Sequence, residues 1–181
     1  MRPHLPLAFL LLLAGCREAP RPREFDGVSA FHYIETQVAF GPRIPNTEAH
    51  GKMAAWLDSM LRLRSDTLVV QEWDHVTARG DTLHLTNFLA RFNPASTKRL
   101  LFLAHWDSRP TADSPRSADK TRPVLGANDG GSGVALLLGV ADALMKTPTT
   151  LGVDLLFTDG EDYGDFEKAP MDGLMGARYY A

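Results

Sequence analysis

A single cysteine, Cys16, stands in the 181 residues, so no internal disulfide is available and apolar burial must hold the fold. An excess of basic charge is also lacking. Nineteen Lys and Arg face 22 Asp and Glu, for a formal charge of -3 and a pI near 6.0. Phosphate backbones are bound through clustered Lys and Arg, so nucleic acid is not an expected partner. No apolar run is long enough to span a bilayer: the longest, Leu5 to Leu13, has nine residues, against the roughly 20 that a spanning helix needs. Three common active-site patterns are missing too. The glycine-rich stretch Gly126 to Gly133 lacks the Lys and the spacing of a phosphate loop and does not match the dinucleotide fingerprint. Ser132 is not framed as G-x-S-x-G. With its only thiol near the start, the chain offers no cysteine nucleophile in its body. What remains, 44% hydrophobic and 23% charged residues, describes one soluble globular domain.

The first residues serve addressing. Arg2, the apolar run Leu5 to Leu13 and the small residues Ala14-Gly15 before Cys16 read as a signal peptide, too short to remain as a membrane span. Small residues directly before the only Cys resemble a bacterial lipoprotein box, in which Cys16 is lipidated and becomes the first mature residue. A plain secretory signal with an incidental Cys is the alternative. Residues 1–15 are therefore expected to be a lipoprotein-type leader. Residues 16–24, with Pro20 and Pro22, form a tether, and 25–181 form the folded part. The expected product is exported and lipid-anchored in a bacterial cell envelope, on the periplasmic side or at the outer membrane. Its membrane contact runs only through the anchor.

Downstream, Val28, Phe31, Ile34 and Val38 recur at three- and four-residue spacing, which predicts a helix with one buried stripe, ending at Gly41-Pro42. Thr47 can cap a second helix running to about Arg64, with Met53, Trp56, Leu57, Met60 and Leu61 on one side. Both helices are expected to pack on a sheet. Two β-rich runs, Thr67 to Thr77 and Thr82 to Phe92, flank Arg79-Gly80-Asp81 and predict a hairpin. The tripeptide also spells an adhesion motif, but glycine in a short link between strands explains it. Arg99 to Trp106 and Leu151 to Thr158 are nearly continuous apolar runs, as in central strands covered on both faces. Gly131 to Met145 between them reads as a helix, so strand, helix and strand form a crossover in an α/β sheet. The proline-bearing segment Ser108 to Val124 is a long loop of the kind that walls active sites.

In such sheets function collects at the carboxyl ends of the strands. Three polar clusters stand there. His105-Trp106-Asp107 closes one strand, Asn128-Asp129-Gly130-Gly131 opens the crossover helix, and Asp159-Gly160-Glu161-Asp162 closes the next strand. Adjacent strands lie about 5 Å apart, so these distant acids can share one cavity. Crowded carboxylates repel unless a cation neutralises them. Imidazole with carboxylates suits zinc, and a neighbouring carboxylate can carry protons. Each cluster alone has a plain reading: His105 as an ordinary strand-end histidine, Asp129 as a helix N-cap, Glu161-Asp162 as a solvated loop. Their convergence at consecutive strand and helix ends argues for a site.

Four strings in order, Gly41-Pro42-Arg43-Ile44-Pro45, Ala104-His105-Trp106-Asp107-Ser108, Gly126-Ala127-Asn128-Asp129-Gly130-Gly131-Ser132-Gly133 and Asp159-Gly160-Glu161-Asp162-Tyr163-Gly164, resemble the glutaminyl cyclase branch of the zinc aminopeptidase superfamily over about Val28 to Ala181. The resemblance implies an α/β fold, an αβα sandwich with a mixed, mostly parallel central sheet. It also implies zinc, one ion or two, with Asp129 and Asp162 as ligands and Glu161 as the proton carrier. In the two-zinc aminopeptidases of this superfamily the residue matching His105 is a ligand; in single-zinc cyclases it lies near the metal. Asp107 is implied to orient that imidazole from behind. Peptide or protein N-termini are the implied substrates. The implied activity is conversion of an N-terminal glutamine to pyroglutamate with release of ammonia, which the Trp of His105-Trp106-Asp107 and the run Glu161 to Gly164 favour. Hydrolysis of the N-terminal peptide bond by an exported aminopeptidase is the alternative.

The family pattern places a third ligand, a histidine, well after the Glu-Asp pair, and here no histidine follows His105. Met171 to Ala181 reads as the start of a further helix, so the expectation is that the sequence is the N-terminal part of a larger catalytic domain. A catalytically inactive, tethered binding domain that keeps the cleft is the reading from a different class.

Overall fold

A computed structural model describes residues 25–165 and 167–181. The leader, the tether and Cys16 lie outside the described residues. The elements are α1 (Gly27–Ala39), α2 (Glu48–Arg62), β1 (Thr67–Val76), β2 (Thr82–Phe92), β3 (Arg99–His105), α3 (Gly131–Lys146), β4 (Gly152–Thr158), a 3-10 turn at Pro170–Asp172 and α4 (Met175–Tyr180). Local chemistry sets the boundaries. Asp26 caps α1 by accepting from the Ser29 amide, and Thr47 caps α2 by accepting from the His50 amide at 3.2 Å. Upstream of Thr47, Asn46 takes φ 68 in a turn closed by the Thr47 amide on Ile44 O. Asn46 also ties this turn to β2 through Thr82 O and the His84 amide.

The four strands form one mixed sheet in the order β1-β2-β4-β3. β1 and β2 pair as the expected hairpin, Val76 opposite Thr82, with Gly80 at φ 91 in the link, so the turn reading accounts for Arg79-Gly80-Asp81. β2 pairs antiparallel with β4, and β4 parallel with β3. Parallel pairing among the described strands is thus confined to β3 and β4, fewer than the mostly parallel sheet expected. The short hairpin link forces β2 to reverse, and β4 inherits β2 as an antiparallel neighbour.

β2 sorts the two layers by alternation. Phe88, Ala90 and Phe92 join Met53, Leu57 and Leu61 of α2, Leu138 and Ala141 of α3 and Leu155 and Phe157 of β4 in the main core. Leu83 and Leu85 face the other way, against Met175 of α4, and Asn87 on that side donates to Gly176 O. Helices therefore cover both faces. Each fully buried Leu or Phe contributes about 1.5–3 kcal/mol. Among the described residues no helix is long and apolar enough to cross a membrane.

Two sequence expectations change. α1 packs along α3, not on the sheet, and its predicted stripe turns inward only in part: Val28 is 71% exposed and Phe31 60%, Ile34 and Val38 are half-buried, and Ala30 and Gln37 are buried. The helix turns polar groups inward, where α3 takes up their donors. Tyr33 Oη donates to Asp142 at 2.6 Å and Gln37 Nε2 to Gly131 O at 3.0 Å. Second, β4 is central and wholly buried, but β3 is one edge of the described sheet, with Leu100 to Leu103 half-exposed. A run apolar on both faces marks a strand without fixing its place in the strand order.

Candidate functional site

Parallel pairing of His105 with Thr158 ends β3 and β4 side by side, so the residues after each emerge on the same rim of the sheet. The loop after β3 then leads into α3, and two glycines in left-handed conformations fold it back over the strand end: Gly126 (φ 65) and Gly130 (φ 42). A Cβ at Gly130 would lie 2.6 Å from His105 O. That close approach sets Asp129 above the imidazole. His105 Nε2 lies 3.0 Å from Asp129 Oδ1, and its Nδ1 lies 3.3 Å from Asp107 Oδ1. Asp129 does not cap α3; Gly130 holds the cap position with no side-chain bond. The N-cap reading is thereby removed.

Asp107, fully buried, also accepts from the backbone amides of Glu161 and Asp162, both at 3.1 Å. This one carboxylate fixes the acidic pair after β4 relative to the imidazole at the end of β3. As a result, ligand atoms of His105, Asp129 and Asp162 all lie within 4.8 Å of one another. Asp129 is largely exposed; Asp162 and His105 are mostly buried. Asp162 Oδ1 accepts from Arg109 Nη2 at 3.0 Å, and the carboxylate has a second oxygen to offer.

Burial and the neighbouring carboxylates both act on the titrating groups of the rim. Burial works against a charged His105, but the Asp107 hydrogen bond and the charges of Asp107, Glu161 and Asp162 outweigh it and lift the imidazole to about 9. Glu161 is half-buried and its carboxyl is raised, first by burial, with His105 opposing and Asp107, Asp162 and Asp129 adding to it. One imidazole and two carboxylates that converge at one point, with Arg109 paired to Asp162 on the far side, match the donor set of a zinc site.

Behind the rim lies a pair that the sequence reading missed. His50 Nε2 is 3.0 Å from both carboxylate oxygens of Asp159, which also accepts from the Thr86 amide at 2.8 Å. The His50 ring stacks on Trp106 at 4.3 Å, and Trp106 Nε1 donates to Thr86 O. Burial pushes the Asp159 carboxyl up to about 6 against the pull of His50. The available signal was spacing: His50 falls in step with Met53, Leu57 and Leu61 on the buried side of α2. A cavity of about 500 Å³ opens beside Asp162, bordered by Arg79 and Asp81 of the hairpin link, Arg109, Tyr163 and Lys168.

Residues 87–181 match peptidase family M28, and the chain belongs to that family. Within it, the similarity falls to the glutaminyl cyclase branch. The solved glutaminyl cyclase of Tannerella forsythia is 41% identical with a TM-score of 0.81, over 86% of this chain and 55% of that one. A Zn-dependent exopeptidase from Parabacteroides distasonis is 38% identical with a TM-score of 0.81, over 87% of this chain and 56% of its own. Glutaminyl-peptide cyclotransferase of Drosophila melanogaster is 31% identical over 148 residues, 77% of this chain and 38% of the relative. The chain thus spans about half the length of these structures, and less of the curated relative.

Proposed function

We propose that the protein is a zinc-dependent glutaminyl-peptide cyclotransferase that converts N-terminal glutamine to pyroglutamate. The observation that carries this reading is the convergence of His105, Asp129 and Asp162 beside the half-buried Glu161. Asp129 and Asp162 hold the zinc, with His105 beside it as a ligand or a close neighbour, and Asp107 keeps the imidazole and the 161–162 amides in place. Bound zinc supplies a Lewis acid for the side-chain amide carbonyl of the substrate. Glu161 carries the proton. The α-amine nitrogen forms a bond to the amide carbon, the carbon to NH₂ bond breaks, and Glu161 takes a proton from the amine and gives it to the departing ammonia. A carboxyl raised by burial is suited to both halves of that transfer. Export through the leader, with Cys16 lipidated, belongs to the same reading.

Resemblance to the zinc exopeptidase favours a second reading, hydrolysis of the N-terminal peptide bond by the same residues. Incubation with a glutamine-started and a leucine-started peptide separates the two. Ammonia from the first with the second intact supports the cyclase; leucine release identifies the aminopeptidase. Failure of both peptides to react with the full-length protein leaves the tethered binding domain.

A further inference from the structure

We propose that Arg43 is the positioning residue that sets the β3 end, with His105 and Asp107, against the loop bearing Asp129. Arg43 belongs to Gly41-Pro42-Arg43-Ile44-Pro45, a string to which the chemistry above gives no task. It is fully buried, and among the described residues its guanidinium hydrogen-bonds to no carboxylate, Asp107 acting on it only through space. Its guanidinium is spent on carbonyls. Nε donates to Trp106 O at 2.9 Å, Nη1 to Leu125 O at 2.7 Å and Nη2 to Gly126 O at 2.8 Å. The first carbonyl lies between His105 and Asp107; the other two lie just before Asp129. The main chain reinforces the clamp, since the Arg43 amide donates to Ser108 Oγ at 2.8 Å and the Ser108 amide donates to Arg43 O at 3.1 Å. Gly126 O also accepts from the amide of Gly131, the first residue of α3, at 3.0 Å.

Only a planar fork with several donors can hold three carbonyls from two segments at once; an ammonium on a flexible stem cannot. The surroundings are cut to the fork as well. A Cβ on Gly126 would meet Arg43 Nη2 at 2.5 Å, and one on Gly131 would meet Gly126 O at 2.5 Å. Burial works against the Arg43 charge, and Asp107 supports it only through space, with no direct hydrogen bond. A buried leucine or methionine would serve a purely structural role at lower cost. The arrangement is explained if the placement of the two segments is what the side chain provides. Its consequence for metal affinity rests on the ligand reading above.

The test compares wild type, Arg43→Met and Arg43→Lys by amide hydrogen exchange without metal and by zinc titration against a chelator. Arg43→Met is expected to speed exchange at Ser108 and Gly131 roughly tenfold or more while the β1–β2 ladder keeps its protection. It should weaken zinc binding by about 10- to 100-fold, the range for residues that orient metal ligands. Arg43→Lys, which keeps the charge and loses the fork, should show the same local pattern, and it decides the question if the Met variant does not fold. Unchanged exchange in both, or loosening spread equally into the β1–β2 ladder, overturns the proposal. If wild type takes up no zinc, the ligand reading fails, and the exchange pattern alone still upholds or overturns the role of Arg43.

Discussion

Replacing Asp107 by Asn changes no volume and removes one charge, and its effect can be worked out from the contacts. The carboxylate accepts from the amides of Glu161 and Asp162 and faces His105 Nδ1. An asparagine oxygen can accept from one amide, but its NH₂ group cannot accept from the other. One buried amide is left unpaired and a charged acceptor becomes neutral, a loss of about 2–4 kcal/mol. The imidazole adds a pH dependence. With His105 raised from 6.5 to about 9, its protonation stabilises the metal-free fold by about 3 kcal/mol. That contribution is complete below about pH 6.5 and is lost as pH rises through about 9. Asp107→Asn removes most of it. Urea unfolding with chelator present should therefore show a large stability gap between wild type and variant at pH 6 and a gap smaller by about 2 kcal/mol at pH 10. Equal gaps at the two pH values would refute the pairing of Asp107 with a charged His105.

Glu161→Gln should abolish turnover, measured as ammonia release, while the unfolding midpoint and metal content stay at wild-type levels. Gly126→Ala places a Cβ 2.5 Å from Arg43 Nη2 and 2.7 Å from Asp129 O at φ 65, so denaturant unfolding should show a loss of about 2 kcal/mol or more. Leu138→Ala empties a fully buried position between α3 and the sheet and should lower stability by about 2–5 kcal/mol without altering the zinc titration.

Those parts of the fold governed by local periodicity were legible in the sequence. The β1–β2 hairpin follows from alternation around a glycine link, and α3 and β4 from apolar runs of the right length. Placement was less legible. α1 presents Tyr33 and Gln37 to α3 and leaves Phe31 in solvent, because polar contacts across an interface leave no trace in hydrophobic spacing. β3 reads as doubly apolar, yet strand order is set by connections that periodicity does not record. At the site, residue types pointed to His105, Asp129, Glu161 and Asp162 because their chemistry is carried by side chains. Much of what holds them is backbone: Asp107 works through two amides and Arg43 through three carbonyls. Side-chain identity does not disclose such partners, and a charged residue such as Arg43 is expected at the surface.

Metal content tests the account most directly. Elemental analysis after dialysis should find stoichiometric zinc in the wild-type protein, a loss of that zinc in Asp129→Asn and Asp162→Asn, and wild-type secondary structure in both variants. Wild type free of bound zinc, or variants that keep it undiminished, would contradict the claim that these two aspartates hold a common cation at the rim of the sheet.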